Sequence, residues 1–197
     1  PGAAQRSLPE TEAYAHLLCV LALTDAGDAR VLHASERALS FVAAAADRRA
    51  LDPLGARLAF YFALAHERHG SVSDARATLL RLHRAAVTRR DDLGQETCLN
   101  LLLRNYLHYS EYEQAEKLRS KAQTLQLSRS NPQQCRHLYY LGRIRAVQLE
   151  YSDAKECLSQ AQRKAPKHAT GFQVELAKWL VAVQLLLGEI PDARDAA

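Results

Sequence analysis

Between Leu99 and Leu118 the chain reads LNLLLRNYLHYSEYEQAEKL, a dense apolar run that turns into a charged amphipathic segment. Leu99, Leu102, Leu103 and Tyr106 fall at i, i+3, i+4 and i+7, the stripe that one face of an α-helix presents. After HYSEY, the positions Tyr112, Ala115 and Ala122 continue a buried stripe on a second helix, while Glu113 and Lys117 form an i, i+4 charge pair on another face. Similar patterns predict helices at roughly 10–25, 29–46, 54–69, 73–89, 93–109, 111–125, 133–149, 152–164 and 169–187. Pro9, Pro53, Pro132, Pro166 and Pro191 are expected between these helices, since an interior proline removes a hydrogen bond and clashes with the preceding turn. Gly27, Gly70 and HYSEY separate members of a pair. No stretch reads as a β-strand.

The helices repeat. Five second helices are expected to open with an alanine after a short turn: GDARVL at Ala29, SDARATL at Ala75, YEQAEKL at Ala115, YSDAKECL at Ala154 and PDARDA at Ala193, spaced 46, 40, 39 and 39 residues apart. A helix pair every 40 or so residues is the signature of an α-solenoid, in which each pair buries its apolar faces on its neighbours. The fourth unit, LYYLGRIRAVQLEYSDAKECLSQAQRKAP, places Tyr151, Ala154, Leu158, Ala161 and Pro166 at 9, 12, 16, 19 and 24 residues after Gly142. That spacing resembles the tetratricopeptide repeat. Gly142 and Ala154 let two helices approach, Leu158 fills the groove, and Pro166 stops the second helix. Leu138 stands where that repeat has its early tryptophan, and Arg145 where it has an aromatic. The expected fold is all-α: a right-handed α-solenoid of about five tetratricopeptide-like helix pairs. Leu102, Leu103, Tyr106, Tyr112, Ala115, Gly142, Tyr151, Ala154, Leu158 and Ala161 are its expected packing positions.

FQVELAKWLVAVQLLLG is apolar on more than one side. Phe172, Leu176, Trp179, Leu180, Val183 and Leu187 make one stripe, and Val174, Val181, Leu185 and Leu186 populate the rest, so burial on two sides is expected. The helix lies either between neighbouring pairs or with part of its surface, through Phe172, Trp179 and Leu186, against later helices or a partner subunit.

Composition narrows the function classes. The 197 residues are 48% hydrophobic and 24% charged, enough for a core and far from a disordered chain. The net charge of +4 comes from 26 basic and 22 acidic residues dispersed along the chain, which favours a solvated surface over a nucleic-acid face. Arg89 and Arg90 lie near a helix end, where exchange of both for Glu is expected to leave the fold intact. There is no Met, even at position 1, so the chain reads as part of a longer one. No apolar run approaches the roughly 18 to 20 residues of a membrane span. Cys19, Cys98, Cys135 and Cys157 form no C-x-x-C pair and read as buried or partly buried free thiols in a reducing, intracellular compartment. His66 and His69, at i, i+3, lack the H-E-x-x-H spacing and a third ligand and read as surface histidines, so no metal is expected. Neither a phosphate-binding glycine loop nor a nucleophile motif is present, so no cofactor and no catalysis are expected.

The strings LNLLLRNYLHYSEYEQAEKL, LYYLGRIRAVQLEYSDAKECLSQAQRKAP and LLLGEIPD, in that order, resemble the non-ATPase regulatory subunit 3 family of the 26S proteasome lid. The resemblance extends through RRALDPLGARLAFYFALAHE (Arg48 to Glu67) and LPETEAYAHLLCVLAL (Leu8 to Leu23), and so covers most of the chain. It implies a helical-repeat arm over residues 1–168 leading into a PCI module, whose helical part begins near Ala169 and is truncated at Ala197, with the winged-helix half beyond. It implies a non-catalytic scaffold in a hetero-oligomer of lid subunits with neighbouring base and core subunits, cytoplasmic and nuclear, with the deubiquitinating activity on another subunit. Neither membrane nor nucleic acid is an expected partner. A PCI-type scaffold of the signalosome, of a translation initiation complex or of an RNA-export complex is the alternative. Residues 25–46 and the segment TLQLSRSNPQQ (Thr124 to Gln134) look unlike the family.

Overall fold

The computed structural model describes residues 8–45, 47–122 and 130–191. Within them lie the helices α1 (Pro9–Ala26), α2 (Val31–Ala44), α3 (Asp52–Arg68), α4 (Val72–Arg89), α5 (Asp92–His108), α6 (Tyr112–Lys121), α7 (Asn131–Val147), α8 (Tyr151–Lys164) and α9 (Thr170–Leu186), with a 3-10 turn at Arg49–Leu51. No strand occurs among the described residues. The chain forms two compact units, one through Asn105 and one from Tyr106. In the first, α1 pairs with α2, and α3 packs on both of them and on α4. In the second, α7 pairs with α8, and α9 packs on both. In each unit, then, one helix, α3 or α9, covers the two helices before it.

Three of the expected helix separators do something else. Pro9, Pro53 and Pro132 sit in the first turn of α1, α3 and α7. A first-turn amide has no intrahelical acceptor, so proline loses nothing there and its fixed φ suits the helix. Glu10 and Glu12 in α1 and Asp52 in α3 add negative charge at the positive end of the helix dipole.

The repeat is clearest in the backbone. A residue with positive φ follows α1, α3, α5, α7 and α9: Gly27 (67°), Gly70 (72°), Ser110 (57°), Leu149 (68°) and Gly188 (77°). The next residue donates its N–H to the carbonyl five positions back, as in Asp28 to Leu23 (3.1 Å), Glu111 to Tyr106 (2.9 Å), Glu150 to Arg145 (3.0 Å) and Glu189 to Gln184 (2.9 Å). This closure satisfies the helix's last carbonyls and requires a left-handed residue, for which glycine has no steric penalty. Leu149 meets the requirement without being glycine, and its side chain is 70% exposed. Leu149→Gly is therefore expected to raise stability by about 1 kcal/mol, the left-handed cost less glycine's extra chain entropy. Urea unfolding with an unchanged slope checks it; a lower midpoint would mean that the leucine side chain packs.

The alanine register needs one correction. Ala75, Ala115 and Ala154 are each the fourth residue of a helix and are buried to within 1% of complete. Ala29 lies exposed, before α2 begins. Two small residues of that helix are fully buried, Ser35 and Ala38; Ser35, the fifth residue of α2, stands 40 residues before Ala75, which gives spacings of 40, 40 and 39. A serine fits because its hydroxyl donates to the Leu32 carbonyl at 2.8 Å and leaves no unpaired polar atom in the contact. The fifth position, Ala193, lies outside the described residues, as do Thr124 to Arg129 of the divergent segment.

Arg89 and Arg90 lie at the end of α4, as expected, but in unlike surroundings. Arg90 closes α4 with φ 56°, whereas Arg89 is half-buried and donates to Asp52 at 2.6 Å. A helix end is not a free end when the neighbouring helix brings a carboxylate to it.

Candidate functional site

Helices α7 and α8 meet closely at Gly142. A Cβ placed on Gly142 would lie 2.7 Å from Leu158 Cγ and 3.3 Å from the Ala154 carbonyl oxygen, so the side chain of Leu158 occupies the space a larger residue would need. Ala154, Leu158 and Ala161 have no exposed surface, and the Cys135 thiol donates to the Ala161 carbonyl at 3.2 Å. Tyr151 opens α8 half-buried. Arg145, at the position expected to be aromatic, pairs with Asp153 on α8 at 2.5 Å.

On the central segment, Leu102 and Leu103 of α5 are fully buried and Tyr106 is 9% exposed. Ala115 of α6 is fully buried and Tyr112 half-buried. Ala122 caps the C-terminus of α6, so the stripe that α8 carries through Ala161 stops short there.

Helix α9 has two unlike sides. Leu176, Leu180 and Val183 are buried. Phe172 meets Tyr139 of α7 edge-on, ring centres 5.2 Å apart. The Arg143 guanidinium stands 5.0 Å from the Trp179 ring and 5.6 Å from that of Tyr139, which gives the cation two π faces. Of the residues marked for an interface, Phe172 and Trp179 are thus engaged on α7, while Leu186 is 61% exposed; Leu185 (60%) and, more than three turns earlier, Val174 (51%) are exposed as well. Of the two sides expected to be buried, the described residues cover one.

The histidine reading changes. His66 is buried, not on the surface: its Nδ1 lies 2.8 Å from Ser71 Oγ and its ring packs edge-on against Phe62. The apolar stripe of α3 carries His66 inward, while His69 falls past the end of the helix and is exposed. They do not share a site, and no group of three or more metal-ligating side chains occurs among the described residues. Cys135 and Cys157 are buried, as expected; Cys19 is exposed, and burial with the nearby Asp91 charge pushes the Cys98 thiol up to about 12, the opposite of a nucleophile's environment.

One polar element escaped the sequence reading. Asn105, 3% exposed, donates to the Val72 carbonyl at 2.6 Å and accepts from Arg76 Nε at 2.9 Å, clipping the end of α5 to the first turn of α4. The available signal was an asparagine within the leucine-rich run, where an amide without partners would be costly.

A family profile described as "PSMD3-like, N-terminal TPR repeats" matches residues 2–195. The probable 26S proteasome non-ATPase regulatory subunit 3 of Daucus carota is 52% identical over 189 residues, covering 96% of this chain and 38% of that protein. Homolog A of the same subunit in Arabidopsis thaliana is 50% identical over 191 residues, covering 96% and 39%. The probable Drosophila melanogaster subunit is 44% identical over 191 residues, covering 96% and 38%. The chain spans well under half the length of these relatives, and its helix pairs are of the TPR kind that the profile describes. This all-α chain belongs to the 26S proteasome non-ATPase regulatory subunit 3 family, within the span of that family's N-terminal TPR repeats.

Proposed function

We propose that the chain is a non-catalytic, structural part of the lid of the 26S proteasome regulatory particle. It supports ubiquitin-dependent protein degradation by holding other subunits in position. The observation that carries the reading is identity of 41 to 52% sustained over almost the whole chain with subunits of that name, rather than over one repeat. The described helices join in pairs by one repeated turn, the build of a stiff spacer, and this supports a positioning role.

Residues 1–168 act as the repeat arm, and residues 169–197 begin the helical part of a PCI module. The Gly188 turn that closes α9 is the one that closes the first helix of each earlier pair, which supports α9 as the opening of a further pair. The ten packing positions from Leu102 to Ala161 set the arm's internal contacts, and Leu186 with its exposed neighbours offers the surface for contact beyond this chain. The partners are other lid subunits with neighbouring base and core subunits, in the cytoplasm and nucleus. No described helix is long and apolar enough to cross a membrane.

Affinity purification of the full-length protein from its own cells at moderate salt, followed by mass spectrometry, tests the reading. Lid, ATPase-ring and core subunits are expected in constant proportion. Signalosome, initiation or export factors without proteasome subunits would overturn it and leave only the fold.

A further inference from the structure

The first compact unit contains a cavity of about 130 Å³ enclosed by α2, α3, α4 and α5. Its size approaches that of the ~150 Å³ engineered cavity that takes up benzene, so it can hold one branched aliphatic side chain. The space exists because Gly55 and Ala59 on α3 and Ala85 on α4 are small, while Val42, Leu82 and Cys98 complete an apolar wall. It opens to the surface, and Ala85 is exposed there.

The polar residues of the lining are charged. Asp52 accepts from Arg89 at 2.6 Å, which neutralises both. Asp91 also lines the cavity; its Oδ1 accepts the Gly94 N–H at 3.0 Å, and it makes no ion pair among the described residues. Asp52 thus has Arg89, and the nearby charge of Arg49, to offset it, whereas the Asp91 carboxylate stands beside the apolar hole with no cation paired to it among the described residues. Burial first, and then the Asp91 charge, hold the Asp52 carboxyl above the usual range despite Arg89 and Arg49.

We propose that this cavity is a socket for one aliphatic side chain of a partner protein, followed in the partner's sequence by a basic residue that pairs with Asp91. The apolar wall supplies the burial and the leftover carboxylate selects the neighbour, the usual division between an anchor in a pocket and a polar rim. The socket is a separate claim from the proteasomal reading and can stand or fall without it.

Two short capped peptides test it, Ser-Gly-Leu-Lys-Gly-Ser and its Leu-Glu counterpart, titrated into the 197-residue chain while the methyl resonances of Val42, Ala59 and Leu82 are followed by NMR. The Leu-Lys peptide is expected to shift these signals saturably and to bind about threefold more tightly than the Leu-Glu peptide, the scale of one partly exposed ion pair. Ala85→Phe, at an exposed position, should plug the opening and abolish both titrations. Asp91→Asn keeps an N-cap acceptor for α5 but removes the charge, so it should make the two peptides equal. The socket is overturned by absence of any shift up to about 10 mM peptide, weaker than any useful anchor. It is equally overturned by equal binding of the two peptides to the unmodified chain, or by shifts that persist in Ala85→Phe.

Discussion

Gly142→Leu is expected to lower stability by about 3 kcal/mol or more, at the upper end of the range for overpacking a filled contact. Even the first added atom would stand 2.7 Å from Leu158 Cγ, and Leu158 is fully buried, so it has no open rotamer to move into. The alternative is separation of α7 from α8, which would also loosen α9, because α9 packs on both. Gly142→Ala adds only the Cβ. Alanine's better helix propensity returns about 1 kcal/mol of the clash, and the net loss should be smaller than for leucine. Leu158→Ala alone should cost about 2 to 5 kcal/mol by leaving a cavity. The pair Gly142→Ala with Leu158→Ala should cost less than the two separate losses combined, since the shortened side chain no longer meets the new methyl; a coupling of about 0.5 kcal/mol or more is expected for residues in direct contact. Urea unfolding of the four variants and the unmodified chain measures this, and strict additivity, or an unchanged midpoint for Gly142→Leu, would show that the seam is looser than described.

Arg89→Glu is the second large effect, about 2 kcal/mol at neutral pH. The figure allows for a pair whose side chains remain 28% and 16% exposed. The substitution removes the cation from Asp52 and places a third carboxylate near Asp52 and Asp91. Arg90→Glu, at an exposed residue outside the helix, should stay within about 0.5 kcal/mol. The pH dependence has a definite sign. Asp52 is already held above the usual carboxylate range, by burial first and Asp91 next, and loss of Arg89 should raise it further. A carboxyl raised in the folded state favours folding when protonated, so the deficit should be full at neutral pH and shrink as the pH falls through the raised value toward the ordinary one. Unfolding of both variants at neutral pH and near pH 5 tests this. Equal losses for Arg89→Glu and Arg90→Glu would make the pair merely superficial. Combining Arg89→Glu with Asp52→Arg should recover part of the loss.

The arginines show where sequence reasoning stops. Neighbours within one helix follow from the 3.6-residue turn, so an apolar stripe, a small residue facing a large one and a 39- or 40-residue period can be read directly. Gly142, Ala154, Leu158 and Ala161 were legible for that reason, and so was the all-α, paired build. The same string matching chose Ala29, because GDAR looks like SDAR. Only the structure shows that α2 begins two residues later and that Ser35 meets the requirement for a small, satisfied side chain.

What lies opposite a helix face is not a property of the helix. Whether His66 is wet or buried depends on where the end of α3 and the Ser71 turn bring it. Arg89 is paired because Asp52 begins a helix 37 residues earlier, and Asn105 is satisfied by a carbonyl 33 residues away. The cavity beside Asp91 needs small residues from different helices to coincide in space, and no one-dimensional period records that. The sequence by itself determined the helices, their pairing period and the family, because these are local or repeated properties. The tertiary structure decided which polar groups find partners, which small residues leave a void and which side of α9 the other described helices cover, because each depends on distances between segments far apart in the chain.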